Sequence, residues 1–128
     1  MLKPLVIKPT EETPKVILDP RANKFEMEGN SYPANAPSFY DTLLKWLEDY
    51  AKNPNPETEL KLTLDYWNSA SSKYLMMIMR VFEDMHKAGK KVNLIWVYDD
   101  ADNMEAGAEY KELLKCPFKL IEAIKINK

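Results

Sequence analysis

Residues 60–67 alternate strictly. Leu60, Leu62, Leu64 and Tyr66 fall on one side, and Lys61, Thr63, Asp65 and Trp67 on the other. Period two is the signature of a strand with one apolar face, so 60–66 is predicted as a strand. The longest helical pattern follows it. Leu75, Ile78, Phe82 and Met85 recur every three or four residues, which predicts a helix from the turn Asn68-Ser69-Ala70-Ser71-Ser72 to about Ala88, capped by Gly89. Val92 to Tyr98 is the most apolar strand candidate. A second helix stripe, Phe39, Leu43, Leu47 and Tyr50 with Trp46 beside it, spans roughly Ala36 to Lys52. Pro37 suits its first turn, and Asn53-Pro54-Asn55-Pro56 stops it.

The flanks are shorter. Lys15 to Asp19 and Lys24 to Glu28 read as two arms of a hairpin around Arg21-Ala22-Asn23, with Gly29-Asn30 ending the second arm. Leu5-Val6-Ile7, between Pro4 and Pro9, reads as an edge strand or an extended arm. Asp102-Asn103-Met104-Glu105 has capping-box spacing and starts a third helix, with Lys111 and Lys115 near its end and Pro117 beyond it. Phe118 to Ile126 closes the chain as a strand. The second half is therefore strand–helix–strand–helix–strand, which places its strands in parallel through right-handed crossovers. The predicted fold is α/β: a mixed open sheet with an N-terminal antiparallel hairpin and about three main helices, mostly on one face. The half-polar strand 60–66 predicts that the other face is not fully covered.

Composition narrows the function. At 128 residues the chain is the size of one domain, residues 1–128, with 45 % apolar and 30 % charged side chains. Eighteen basic and twenty acidic residues give a net charge of −2, without the basic surface that nucleic acid requires. No apolar run is long enough for a signal peptide or a membrane span, so a cytoplasmic protein is expected, with no membrane partner. A single cysteine, Cys116, excludes an internal disulfide and reads as a small buried thiol.

Candidate chemistry is sparse. One histidine, His86, sits where a helix C-terminus favours it, and three glycines at 29, 89 and 107 form no phosphate loop. Asp99, Asp100, Asp102 and Glu105 lack calcium-loop spacing and read as helix N-terminal acids. Met76, Met77 and Met79 read as core filler, or as part of an adaptable binding surface. No catalytic residue, metal site or cofactor is expected.

The turn at 68–72 stands out. It follows the carboxyl end of a predicted parallel strand, the edge where open α/β sheets hold ligands. Small polar residues also serve turns and caps, and Ser71 is a good cap candidate. Several motifs point further: Thr13-Pro14, Gly29-Asn30-Ser31-Tyr32-Pro33-Ala34-Asn35-Ala36, Phe39-Tyr40, Trp46-Leu47, Tyr66-Trp67-Asn68-Ser69-Ala70-Ser71, Val92 to Asp99 and Pro117-Phe118. In this order and spacing the chain resembles the SiaC family of bacterial regulatory phosphoproteins, whose fold is similar to STAS domains, the anti-sigma-factor antagonists.

The resemblance implies a phosphoacceptor at Ser69, modified by a partner kinase and reset by a partner phosphatase. It also implies that the unphosphorylated form docks on a signalling protein, a diguanylate cyclase in the best-known branch. Two departures from the family pattern fall in the turn: Ser69 stands for a threonine and Ala70 for a serine. Ser71 is the competing acceptor. Asn68, Ser69, Ala70 and Ser71 form the implied partner surface, with Trp67 and Tyr74 either anchoring a partner or packing in the core. The rival reading is a STAS-like module that binds a small ligand or nucleotide at the same edge.

Overall fold

The computed structural model of the chain describes residues 2–124. Its elements run β1 (Leu5–Ile7), β2 (Lys15–Asp19), β3 (Lys24–Ser31), α1 (Ala36–Ala51), β4 (Glu57–Trp67), α2 (Ser69–Lys87), β5 (Lys91–Tyr98), α3 (Ala101–Leu113) and β6 (Phe118–Glu122). The six strands form one sheet in sequential order, β1-β2-β3-β4-β5-β6. The first three are antiparallel and β3 to β6 are parallel. The expected mixed sheet, N-terminal hairpin and three helices are all present.

Each helix links two neighbouring parallel strands, and every crossover steps the same way along the sheet. Right-handed connections then bring all three helices to one face. That face holds the core. Val16, Leu18, Phe25, Met27, Leu60, Leu62, Leu64, Val92, Leu94 and Trp96 are buried from the strands. They meet Tyr40, Leu43 and Leu47 of α1 and Leu75, Ile78 and Phe82 of α2. The opposite face is laced with charge: a register row runs Ile17, Glu26, Lys61, Ile95, Lys119 across five strands. Lys15–Glu28 and Lys91–Glu57 pair across it at 3.5 Å. Ion pairs this exposed add little stability, but they keep the uncovered face compatible with water.

Several boundaries differ from the sequence reading, each for a local reason. β3 does not end at Gly29-Asn30. Gly29 takes φ +119, the register slips between Gly29 and Asn30, and pairing with β4 resumes to Ser31. This is a bulge, which glycine permits without breaking the strand. β4 is eleven residues long, beginning at Glu57 and ending at Trp67. α3 begins at Ala101, because Asp100 is its cap and accepts from the Asn103 N–H at 2.8 Å. Asp102 is thus a first-turn acid and heads no capping box, and Lys115 lies beyond the helix end. β6 stops at Glu122; the last residues of the expected strand 118–126 lie outside the described residues.

The far end of α2 is also pinned. Gly89 takes φ +94 and Lys90 N–H donates to the Met85 carbonyl at 3.1 Å, closing the helix as the glycine predicts. The buried Glu83 carboxylate accepts from the Lys115 N–H at 2.6 Å and from Arg80 at 3.0 Å. The Lys115 N–H, with Arg80 and Lys87 nearby, holds this carboxyl below its usual range despite burial. Burial first, and then the Glu83 charge, push the half-buried Cys116 thiol up, so it stays protonated at neutral pH.

Candidate functional site

At the carboxyl edge of the sheet the chain leaves β4 at Trp67 and turns directly into α2. The turn is one residue long. Asn68 is its hinge, with extended backbone and its side-chain oxygen accepting from the Ser71 N–H at 2.9 Å. Asn68, and not Ser71, is therefore the N-cap. Asparagine suits this place because its amide oxygen reaches a free N–H of the first turn. The Asn68 N–H in turn donates to the Ser31 carbonyl at 3.0 Å, which fixes the turn to the end of β3.

The cap decides where each hydroxyl points. Ser69 is the first residue of α2 and is exposed, as is Ala70. Ser71 turns inward and is 0 % exposed. Its hydroxyl accepts from Ser31 Oγ at 2.8 Å, and Ser31 in turn shares a hydrogen bond with the Tyr40 hydroxyl. Burial pushes the Tyr40 hydroxyl up, opposed by the neighbouring hydroxyls of Ser31 and Ser71, so the chain of hydroxyls stays neutral. Ser72 is half-buried and bonds the Tyr110 hydroxyl of α3 at 2.7 Å; that hydroxyl also donates to the Ser72 carbonyl at 3.0 Å. Tyr110 is raised as well, again by burial first.

The two aromatic candidates are mostly committed to packing. Tyr74 stacks on Tyr40, with centroids 5.0 Å apart and planes 7° apart. Trp67 meets Trp96 edge-on at 5.4 Å and stays half-buried. Trp96 Nε1 donates to Asn103 Oδ1 at 2.7 Å, and Asn103 Nδ2 donates to the Leu64 carbonyl at 2.9 Å. The first turn of α2 is thus held to β3 and α1 on one side and to α3 on the other. Among the described residues no buried side-chain polar atom lacks a partner.

Two depressions adjoin the turn, and Trp67 lines both. One, of about 200 Å³, is lined by Asp65, Tyr66, Trp67, Asp100, Asp102 and Asn103. Tyr66 is 56 % exposed there and was not singled out from the sequence; its alternation with Leu64 suggested an inward side chain. The other is a groove of about 370 Å³ between α2 and α3, lined by Trp67, Lys73, Met76, Ala106, Glu109 and Leu113 among others. Of the methionines, Met79 is buried, Met76 lines this groove and Met77 is exposed. Among the described residues no three His, Cys, Asp or Glu side chains converge as metal ligands, and no helix is long and apolar enough to cross a membrane.

The family model for the SiaC family regulatory phosphoprotein matches residues 7–123. The chain belongs to the SiaC family. It is 32 % identical over 113 residues to an uncharacterised protein of Pseudomonas aeruginosa strain UCBPP-PA14, covering 87 % of this chain and 90 % of that protein. Crystal structures agree. Apo-SiaC from Pseudomonas aeruginosa superposes with a TM-score of 0.87 at 32 % identity, covering 94 % of this chain and 99 % of that one. A chain from the crystal structure of the diguanylate cyclase SiaD in complex with its activator SiaC, from the same species, gives 0.88 at 31 % identity, covering 93 % and 99 %. The SiaC fold therefore extends over nearly all of this chain, the 68–72 turn included. SiaC is a regulatory family, and the Pseudomonas SiaC is an activator bound to its cyclase.

Proposed function

We propose that this chain is a non-catalytic, cytoplasmic regulatory phosphoprotein, a single domain whose docking on a signalling partner is gated by phosphorylation of Ser69. A partner kinase transfers the γ-phosphoryl of a nucleoside triphosphate to Ser69 Oγ, releasing the diphosphate and the hydroxyl proton. A phosphatase hydrolyses the ester back. The client is a diguanylate cyclase, by likeness to the SiaC–SiaD pair. The observation that carries this reading is the sorting of hydroxyls in the turn: Ser69 is exposed, while Ser71 is buried and bonded to Ser31. A kinase reaches the first without disturbing the fold and reaches the second only by opening it.

The physics of the switch follows from the helix. A phosphate adds about −1.5 to −2 charges at the start of α2, where peptide N–H groups tolerate an anion. The domain stays folded. A partner surface closing over the turn must instead bury a strongly hydrated dianion, which costs several kcal/mol when unpaired, and about 1.4 kcal/mol is already tenfold in affinity. Asn68, Ala70 and the exposed edge of Trp67 complete the contact surface. Ser71 and Tyr74 support it from below.

Phosphopeptide mapping of the protein from its own cells tests the reading. Trypsin releases Leu62 to Lys73 as one peptide, and phosphate on Ser69 is expected. With the client in hand, Ser69→Asp should weaken docking at least tenfold and Ser69→Ala should preserve it. A peptide unmodified under every growth condition, with Ser69→Asp binding normally, sinks the proposal.

A further inference from the structure

The residue one turn beyond Ser69 has a role that follows from its register. We propose that Lys73 is the internal counter-ion of phosphorylated Ser69, an inference that rests on the reading of Ser69 as the modified residue.

Ser69 opens α2 and Lys73 lies four residues on, so both side chains project from one face of the helix. An anion at i with a cation at i+4 is the favourable order for such a pair. Lys73 is exposed, and none of the ion pairs among the described residues engages it. The first turn of α2 contains no acidic side chain that would compete for its ammonium. The other cations of this helix are placed differently: Arg80 and Lys87 both pair with Glu83, at 3.0 and 3.7 Å.

The pairing changes more than the turn. In the unmodified protein Lys73 rims the α2–α3 groove, beside Met76 and across from Glu109. A dianion at Ser69 draws the ammonium towards the helix start and away from that rim. The groove mouth is then left with Glu109 as its charged group. One modification thus rewrites two adjoining patches, replacing a free cation by a neutralised pair and an uncovered acid. A partner whose docking uses an acidic group against Lys73 loses that contact at the same moment that it meets the phosphate.

The charged groups around the phosphate act in opposite senses. Asp65 on β4, Asp100 at the cap of α3 and Asp102 in its first turn line the neighbouring recess and favour the monoanion. Lys73 and the free N–H groups of α2 favour the dianion. Comparing variants at position 73 alone isolates the lysine, because the carboxylates and the peptide groups are common to all of them.

The test uses the full chain with phosphoserine placed at position 69 during translation, so no kinase is needed. Phosphorus NMR follows the second ionisation of the phosphate against pH in the parent and in Lys73→Met and Lys73→Arg. Lys73→Met should raise that midpoint by roughly 0.2–0.4 of a unit, the size of an exposed pair one turn apart. Lys73→Arg should keep the parent midpoint, and the difference should shrink in high salt. A midpoint unchanged in Lys73→Met overturns the proposal. So does Lys73→Arg behaving like Lys73→Met, because a positive charge retained at position 73 would then leave the midpoint unheld. Since the phosphate is supplied during translation, an unmodified Ser69 in cells would remove the functional reading without altering this titration.

Discussion

Ser31 and Ser71, forty residues apart in the chain, share a hydrogen bond of 2.8 Å directly beneath the turn that presents Ser69. Ser31 is available for it only because β3 continues past the Gly29 bulge, and Ser71 only because Asn68 takes the cap. The bond ties the last residue of β3 to the first turn of α2, the helix that follows the neighbouring strand β4. Tyr40 extends it to α1.

Ser31→Ala should therefore cost more than an ordinary surface substitution. It removes the shared partner of two buried hydroxyls, those of Tyr40 and Ser71, and an unsatisfied buried polar group costs about 1–3 kcal/mol. Urea unfolding should show a lower midpoint with an unchanged slope. Stability equal to the parent's would mean that the hydroxyl chain does not hold the turn.

Gly107 presses against Trp96. A Cβ at this position would lie closer than 3.0 Å to the indole and to Leu120 Cδ2. Trp96 is buried and bonded to Asn103, so it has nowhere to retreat. Gly107→Ala gains helix propensity but overpacks the α3–sheet contact, and the overpacking dominates at about 1–3 kcal/mol. Thermal unfolding with tryptophan fluorescence reads both the lost stability and the disturbed indole. A variant as stable as the parent would contradict the close approach.

Glu83 predicts the acid limb of stability. Its carboxyl is held below the ordinary range in the folded state. Its contribution is therefore full above the unfolded value, about pH 4.3, and is lost as pH falls through the folded value. Glu83→Gln should flatten the decline of stability below about pH 4.3 and lower stability at neutral pH. Denaturation midpoints measured from pH 3 to pH 7 check both; parallel curves for the two proteins would refute the assignment.

Much of this architecture was legible in residue patterns. The period-two run at 60–66 and the stripes at 75–85 and 39–50 are local signals that tertiary packing reinforces. What stayed hidden depends on partners distant in sequence. Gly29-Asn30 looks like a strand end, yet pairing with β4 overrides that turn signal. Asn68 and Ser71 are both good caps, and so are Asp100 and Asp102; in each pair the first takes the cap, its side-chain oxygen accepting from the N–H three residues on. The placement of Ser69 outside and Ser71 inside follows from that choice, so of the two serines that the sequence left open the fold exposes one. The Ser31–Tyr40–Ser71 contact needed the β3–β4 register, which no local pattern encodes.

The strand order has one more consequence. Open α/β sheets form their deep ligand crevice where the strand order reverses and successive helices part to opposite faces. Here the order never reverses: β3, β4, β5 and β6 stand in the sequence in which they are made. The helices stay on one side, and the carboxyl edge carries the recess beside Trp67 and the groove between α2 and α3. What remains is a low parapet built from helix starts and strand ends, with Ser69 exposed along it.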